Sequence, residues 1–114
     1  MTTDEALNLI SDISNYFHSK ASILYWLKRH DESLVAYNQA LTLEPKYRDI
    51  WEGKGQLLED LGRYDEALEC YYSLDSFEEI QRPKDRWAPW GISRCLRKLG
   101  RIKEADEISK NIKF

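Results

Sequence analysis

The sequence predicts an all-α protein built from three helix–turn–helix repeats, for three reasons. One block of eight residues recurs three times, beginning at Leu27, Leu61 and Leu99. Apolar residues within each copy recur in steps of three and four, the spacing of one face of an α-helix. Gly62 and Gly100 follow the first residue of the block in two copies, where a left-handed residue ends a helix with little strain. Each copy is therefore expected to hold two antiparallel helices joined by a tight turn.

The similarity between the copies extends beyond this block. The copies are 34 residues apart between Leu27 and Leu61, and 38 apart between Leu61 and Leu99. Small, leucine and aromatic residues recur at fixed positions around the block. These matched sets are Ala21, Gly55 and Ser93; Leu24, Leu58 and Leu96; Tyr37 and Tyr71; and Ala40, Leu74 and Ile112. A plain helical bundle does not predict such columns, so a repeat is the preferred interpretation.

Local signals fit two helices in each copy. Acidic residues such as Asp31 and Asp65 fall in the first turn of the second helix, where negative charge suits the helix dipole. Lys28 stands where the other copies have glycine, so it must adopt the left-handed conformation or turn differently. Small residues are expected to let the paired helices approach closely, with Ala21 against Ser33, Gly55 against Ala67 and Ser93 against Ala105.

This pattern resembles the tetratricopeptide repeat, whose signature is W-x2-L-G-x2-Y, then A-x3-F, then P. Copy one carries Phe17, Ala21, Leu24, Ser33, Tyr37, Ala40 and Pro45, and copy two carries Trp51, Gly55, Leu58, Ala67 and Tyr71. Lys20 and Lys54 depart from the signature where leucine is usual, and Glu79 departs from it where proline is usual. The resemblance implies a right-handed α-solenoid and, for function, the binding of other proteins.

The resemblance also implies one domain over residues 1–114. The repeats are expected at 14–47, 48–81 and 86–114, after an N-terminal helical extension at 1–13. The extension carries a capping-box pattern at Thr2 and Glu5 and apolar residues at Leu7, Ile10 and Ile13. A separate capping helix and a continuation of the next helix both fit, because no strong breaker divides them.

The family places its ligands in a concave groove lined by the first helix of each repeat. The corresponding positions here are Asn15, His18, Ser22, Tyr25, Asp49, Glu52, Gln56, Glu59, Trp87, Trp90, Arg94 and Arg97. This groove is expected to be acidic in its middle and to carry tryptophan and arginine at its carboxyl end. Trp87 is expected to be more exposed than Trp90, because Pro89 suits the first turn of the helix that follows.

One subgroup of the family grips the carboxylate end of chaperone tails with lysine, asparagine and arginine. The corresponding positions here are His18, Ser22, Gly53, Trp87 and Gly91, and none of them matches. The chain is therefore not expected to belong to that subgroup.

Composition and motifs argue against several other classes of protein. The net charge of −3 provides no field for a nucleic-acid backbone, and no apolar run is long enough to cross a membrane. Cys70 and Cys95 lack metal-site spacing and are interpreted as buried thiols of a cytoplasmic protein. His18 and His30 complete no catalytic set. We expect no enzyme activity and no cofactor.

The leading hypothesis is a scaffold that binds a protein or peptide carrying basic residues opposite Asp49, Glu52 and Glu59. A second hypothesis is a structural protein that forms a homodimer through an uncapped last helix. The apolar residues of that face are Ile108, Ile112 and Phe114. A third, more distant one is RNA binding along a ridge formed by Arg94, Arg97 and Arg101.

Overall fold

The computed structural model describes the backbone of residues 2–75 and 87–111, and the side chains of residues 2–74 and 90–110. These parts of the chain hold six helices and no strand. The helices are α1 Thr3–Trp26, α2 His30–Leu43, α3 Arg48–Asp60, α4 Tyr64–Asp75, α5 Trp87–Lys98 and α6 Ile102–Asn111. The fold is therefore all-α, with two helices in each of the three copies.

The amino-terminal segment is part of α1. The hydroxyl of Thr2 accepts a hydrogen bond from the backbone N–H of Glu5 at 3.2 Å, and the Glu5 carboxylate accepts one from the N–H of Thr2 at 3.1 Å. This reciprocal capping box starts a helix that continues unbroken to Trp26. Of the two arrangements that the sequence allowed for residues 1–13, the structure therefore has the continuous one.

The first helix of each copy ends in the same left-handed turn. Lys28, Gly62 and Gly100 have φ values of 64°, 74° and 81°. In each turn the next residue, an arginine, donates its N–H to a carbonyl five residues back. These bonds are Arg29 to Leu24, Arg63 to Leu58 and Arg101 to Leu96. Lys28 therefore adopts the conformation that glycine adopts elsewhere, at a cost of about 1 kcal/mol.

The chain divides into two compact units, Met1–Gly53 and Lys54–Phe114, with the boundary inside α3. In the first unit α1 packs antiparallel on α2. The buried hydroxyl of Ser33 donates to the carbonyl of Ala21 at 2.7 Å, and that of Ser14 to the carbonyl of Ala40 at 3.5 Å. The predicted close approach of Ala21 and Ser33 is confirmed.

In the second unit α5 packs against both α4 and α6. The Ser93 hydroxyl donates to the carbonyl of Ala105 at 3.4 Å and shares a 2.9 Å hydrogen bond with the hydroxyl of Ser109. Ser93 and Ala105 are both buried, which confirms their predicted contact. In both units, the small residues where the two helices of a copy meet let a serine hydroxyl of one helix donate to a backbone carbonyl of the other.

Candidate binding surface

Two buried tyrosines lie against glycines of the following copy's first helix. A Cβ built on Gly53 would lie 2.6 Å from the hydroxyl oxygen of Tyr37, and one built on Gly91 would lie 2.7 Å from Cζ of Tyr71. Real Cβ atoms are not found this close to other heavy atoms, so each ring occupies the space that a side chain would need. Gly53 and Gly91 are therefore packing positions, a role that the sequence analysis missed. The available signal was a glycine at the same repeat position in the copy after each of these tyrosines.

Tyr71 also lies against its own copy's first helix. A Cβ on Gly55 would lie 2.9 Å from Cζ of Tyr71. The tight position predicted at Gly55 is therefore present, although its nearest neighbour is the ring of Tyr71 and not Ala67. Tyr71 is 1% exposed, and burial, followed by the nearby charge of Glu59, raises the pKa of its hydroxyl.

Glu59 and Arg94, both predicted groove residues, form an ion pair. Nη2 of Arg94 lies 3.3 Å from Oε1 of Glu59, and Nε of Arg94 lies 3.4 Å from Oε2. The Glu59 side chain is only 18% exposed, and the Cys95 thiol also donates to it at 3.5 Å. Glu59 is therefore held by α5 and does not present a free negative charge to a ligand.

Trp90, Arg94 and Arg97 follow one another along one face of α5, at steps of four and three residues. Trp90 is 40% exposed. Arg97 is about half exposed and pairs with Asp106 of α6 at 2.7 Å. Arg101, the third arginine of the predicted RNA-binding ridge, pairs with Glu104. Each guanidinium is thus paired with a carboxylate.

In the first unit, the acidic groove residues Asp49 and Glu52 lie one turn apart on α3. Asp49 is exposed and Glu52 is half-buried. Burial raises the pKa of Glu52, the charge of Asp49 raises it further, and Arg48 opposes both effects. Two carboxylates that repel each other in this way favour a cation between them.

The groove residues on α1 have neighbours within the first unit. The ring of His18 lies 6.2 Å from that of Tyr37 and 6.1 Å from that of Tyr47. Ser22 hydrogen-bonds the hydroxyl of Tyr37, and the ring of Tyr25 lies 5.8 Å from that of His30. His18 thus lies near two aromatic rings and His30 near one. The predicted positions differ in exposure, since Asn15 is exposed and His18, Ser22 and Tyr25 are half-buried.

Some predicted site residues lie outside the described side chains. They are Trp87 of the groove and Ile112 and Phe114 of the self-association face. Ile108 of that face is half-buried, and Gln56 of the groove is exposed. The prediction that Trp87 is more exposed than Trp90 is therefore untested.

The two cysteine thiols are buried. Cys70 and Cys95 are free and buried, as predicted, and burial raises the pKa of Cys70 to about 11 and that of Cys95 to about 12. The described part of the chain contains no group of three potential metal ligands. None of its helices is long and apolar enough to cross a membrane.

Residues 14–47 and 49–77, more than half of the chain, match the family model of the tetratricopeptide repeat. The chain belongs to the tetratricopeptide repeat family. It is also 45% identical over 42 residues to an uncharacterised protein of Methanocaldococcus jannaschii. That match covers 37% of this chain and 49% of the relative, so it spans about half the length of that protein.

Solved structures of the same fold resemble this chain. A crystal structure of MamA superposes with a TM-score of 0.77 at 21% identity, over 85% of this chain and 54% of MamA. The type III secretion translocator chaperone SycD of Yersinia enterocolitica superposes with a TM-score of 0.73 at 21% identity, over 86% of this chain and 70% of SycD. At this identity the likeness establishes the helical repeat fold only.

Proposed function

We propose that this protein is a protein-interaction scaffold that binds a peptide segment of its partner, with Trp90 of α5 as the main contact. The supporting observation is the row formed by Trp90, Arg94 and Arg97 on one helix face, with an exposed indole beside two half-exposed guanidinium groups. Tryptophan and arginine contribute most of the binding energy at protein interfaces. Ion pairs with Glu59 and Asp106 hold the two arginines in place, which reduces the entropy lost on binding.

The test is an affinity purification from the native cell with the wild-type chain and with Trp90→Ala. The protein that the wild type recovers is then measured by isothermal titration calorimetry. We expect Trp90→Ala to weaken its binding by about 2 kcal/mol, or roughly 30-fold, because the indole is removed from the centre of the contact. Tyr72→Ala is the matched control, since Tyr72 is an aromatic residue of similar exposure, 45%, on α4.

Equal loss of affinity in Trp90→Ala and Tyr72→Ala would refute the assignment of Trp90, as would no loss in either variant. Both variants must keep the wild-type melting temperature for the comparison to be valid. Exposed side chains away from packing contacts usually change stability by less than about 0.5 kcal/mol when replaced.

We further propose that basic residues of the partner contact Asp49 and Glu52. The support is the raised pKa of Glu52, to which Asp49 contributes, because a cation of the ligand would relieve that repulsion. Glu59, which the sequence grouped with Asp49 and Glu52, is not included in this proposal because Arg94 already neutralises it. If the proposal is correct, affinity falls as pH falls through the raised pKa of Glu52, and Glu52→Gln removes that dependence. An unchanged pH profile in Glu52→Gln would contradict this.

The alternative functions receive less support. RNA binding requires unbalanced positive charge, whereas Arg94, Arg97 and Arg101 are each paired with a carboxylate. For self-association through the last helix, only Ile108 belongs to the described side chains, and it is half-buried.

A further inference from the structure

A stripe of large apolar side chains runs along the exposed surface of α1. Its members recur in steps of three, four or seven residues, the spacing of one helix face. The stripe consists of Leu9 (47% exposed), Ile13 (38%), Tyr16 (61%), Ile23 (60%) and Leu27 (60%), the last directly after the helix. Ser14, Ala21 and Leu24, which are buried, lie on another face of α1. Several large apolar side chains exposed on one helix face are typical of an interaction surface.

The third copy shows what this face does within a repeat. There α4 packs on α5, the ring of Tyr71 lies against Gly91, and Cys95 one turn later is fully buried. Counting back through the 38- and 34-residue intervals, Cys95 corresponds to Ile23 and Gly91 to Ser19. Ile23 of the stripe thus occupies a position that is fully buried in a later copy, next to the position where a tyrosine of the preceding helix packs.

The receiving face of α1 differs from the later ones in one respect. Gly53 and Gly91 leave room for a tyrosine ring that comes within 2.8 Å of where a Cβ would be, whereas Ser19 has a Cβ at the same position. A helix carrying a tyrosine as α2 and α4 do would therefore clash with Ser19. Consequently, the occupant of this face is not expected to be another tyrosine-bearing second helix.

Charge along α1 indicates a different occupant. Glu5 and Asp12 lie in its first half, and Lys20 and Lys28 lie in its second half or directly after it. A second copy of α1 in antiparallel orientation, with the two-fold axis at Tyr16, places Asp12 opposite Lys20, and both side chains are exposed. The same register places Leu9 opposite Ile23. A parallel arrangement would instead bring like charges together, which is unfavourable.

We infer that two copies of this chain associate through an antiparallel pair of α1 helices, which buries the stripe. The interface is isologous, since each residue pair occurs twice about the two-fold axis. It lies on a different face of α1 from the groove positions Asn15, His18 and Ser22. The proposed peptide contact uses residues of α5, so the two proposals rest on different residues and can be tested with separate variants.

The test uses two charge reversals, Asp12→Lys and Lys20→Glu, with dissociation constants measured by sedimentation equilibrium. Each single variant places like charges opposite each other twice, so we expect its homodimer to dissociate at least tenfold more readily than wild type. An equimolar mixture of the two variants restores both attractive pairs, and we expect it to form a heterodimer with near wild-type affinity.

Lys103→Glu and Glu107→Lys are the matched controls, because they reverse exposed charges on α6, outside the stripe. They should dimerise like wild type. The inference is overturned if the wild-type chain is monomeric at high micromolar concentration or assembles without limit. It is also overturned if the single variants dimerise normally, or if their mixture does not recover. If the charge reversals on α1 weaken the dimer no more than those on α6 do, the interface lies elsewhere.

Discussion

Adding a single methyl group at Gly91 should destabilise the second unit, although alanine usually stabilises a helix. Gly91 lies within α5, and its φ is not in the left-handed region, so alanine is compatible with its backbone. At an exposed helix position this change would stabilise the protein by about 0.5–1 kcal/mol. Here the new Cβ would lie 2.7 Å from Cζ of Tyr71 and 2.8 Å from Cδ1 and Cδ2.

The magnitude follows from these two opposing terms. The three atoms approached belong to a rigid aromatic ring, which is 1% exposed and also lies against Gly55, so it has little space to move. Overpacking of such a site costs about 1–3 kcal/mol. After subtraction of the gain in helix propensity, we expect Gly91→Ala to lower the free energy of unfolding by about 0.5–2 kcal/mol.

A double-mutant cycle measured by urea denaturation, followed by far-UV circular dichroism, isolates this contact. Tyr71→Leu removes the ring, so in that background Gly91→Ala should be neutral or stabilising. The coupling energy between the two positions should then be about 1 kcal/mol or more. A stabilising effect of Gly91→Ala in the wild-type chain would refute the argument, and so would strict additivity of the two changes.

Three further expectations concern packing, the turn and the thiols. Gly55→Leu should lower the free energy of unfolding by about 1–3 kcal/mol, because its Cβ would meet Tyr71, and an unchanged melting curve would contradict the assigned register. Lys28→Gly should raise the melting temperature, because glycine adopts the φ of 64° without strain. The free energy of unfolding should rise by about 0.5–1 kcal/mol. A lower melting temperature would exclude strain at Lys28. The pKa values of Cys70 and Cys95 rise from 9.0 to about 11 and about 12 on folding, so the unfolded thiols ionise first as pH rises. Stability should therefore fall as pH increases from about 9 towards 11 or 12, as measured by urea midpoints, and substitution of both cysteines by alanine should flatten this dependence.

The sequence alone predicted the repeat and most of its local structure. Helix caps and left-handed turns depend on residues close together in the chain, so Thr2, Gly62 and Gly100 carry their structural signal in their immediate neighbourhood. Contacts between the two helices of one copy, such as that of Ala21 with Ser33, were also predictable. The helices are joined by a short turn, and the repeated columns give their register.

Pairing across larger separations was decided only by the tertiary structure. Glu59 and Arg94 are 35 residues apart, and the sequence assigned both to the groove without showing that each neutralises the other. Likewise, Tyr71 packs on Gly91, which follows the four extra residues that lengthen the second interval to 38. A glycine by itself does not indicate which ring lies against it.

The exposure of side chains along α1 was likewise decided by the tertiary structure. Ile23 and Cys95 occupy equivalent positions of the repeat, yet Ile23 is 60% exposed and Cys95 is 0% exposed. The repeat pattern determines which face of a helix is apolar, because that depends on the spacing of side chains along one chain. Whether that face is covered depends on neighbouring helices, and only the tertiary structure shows that Cys95 is buried while the stripe on α1 is exposed.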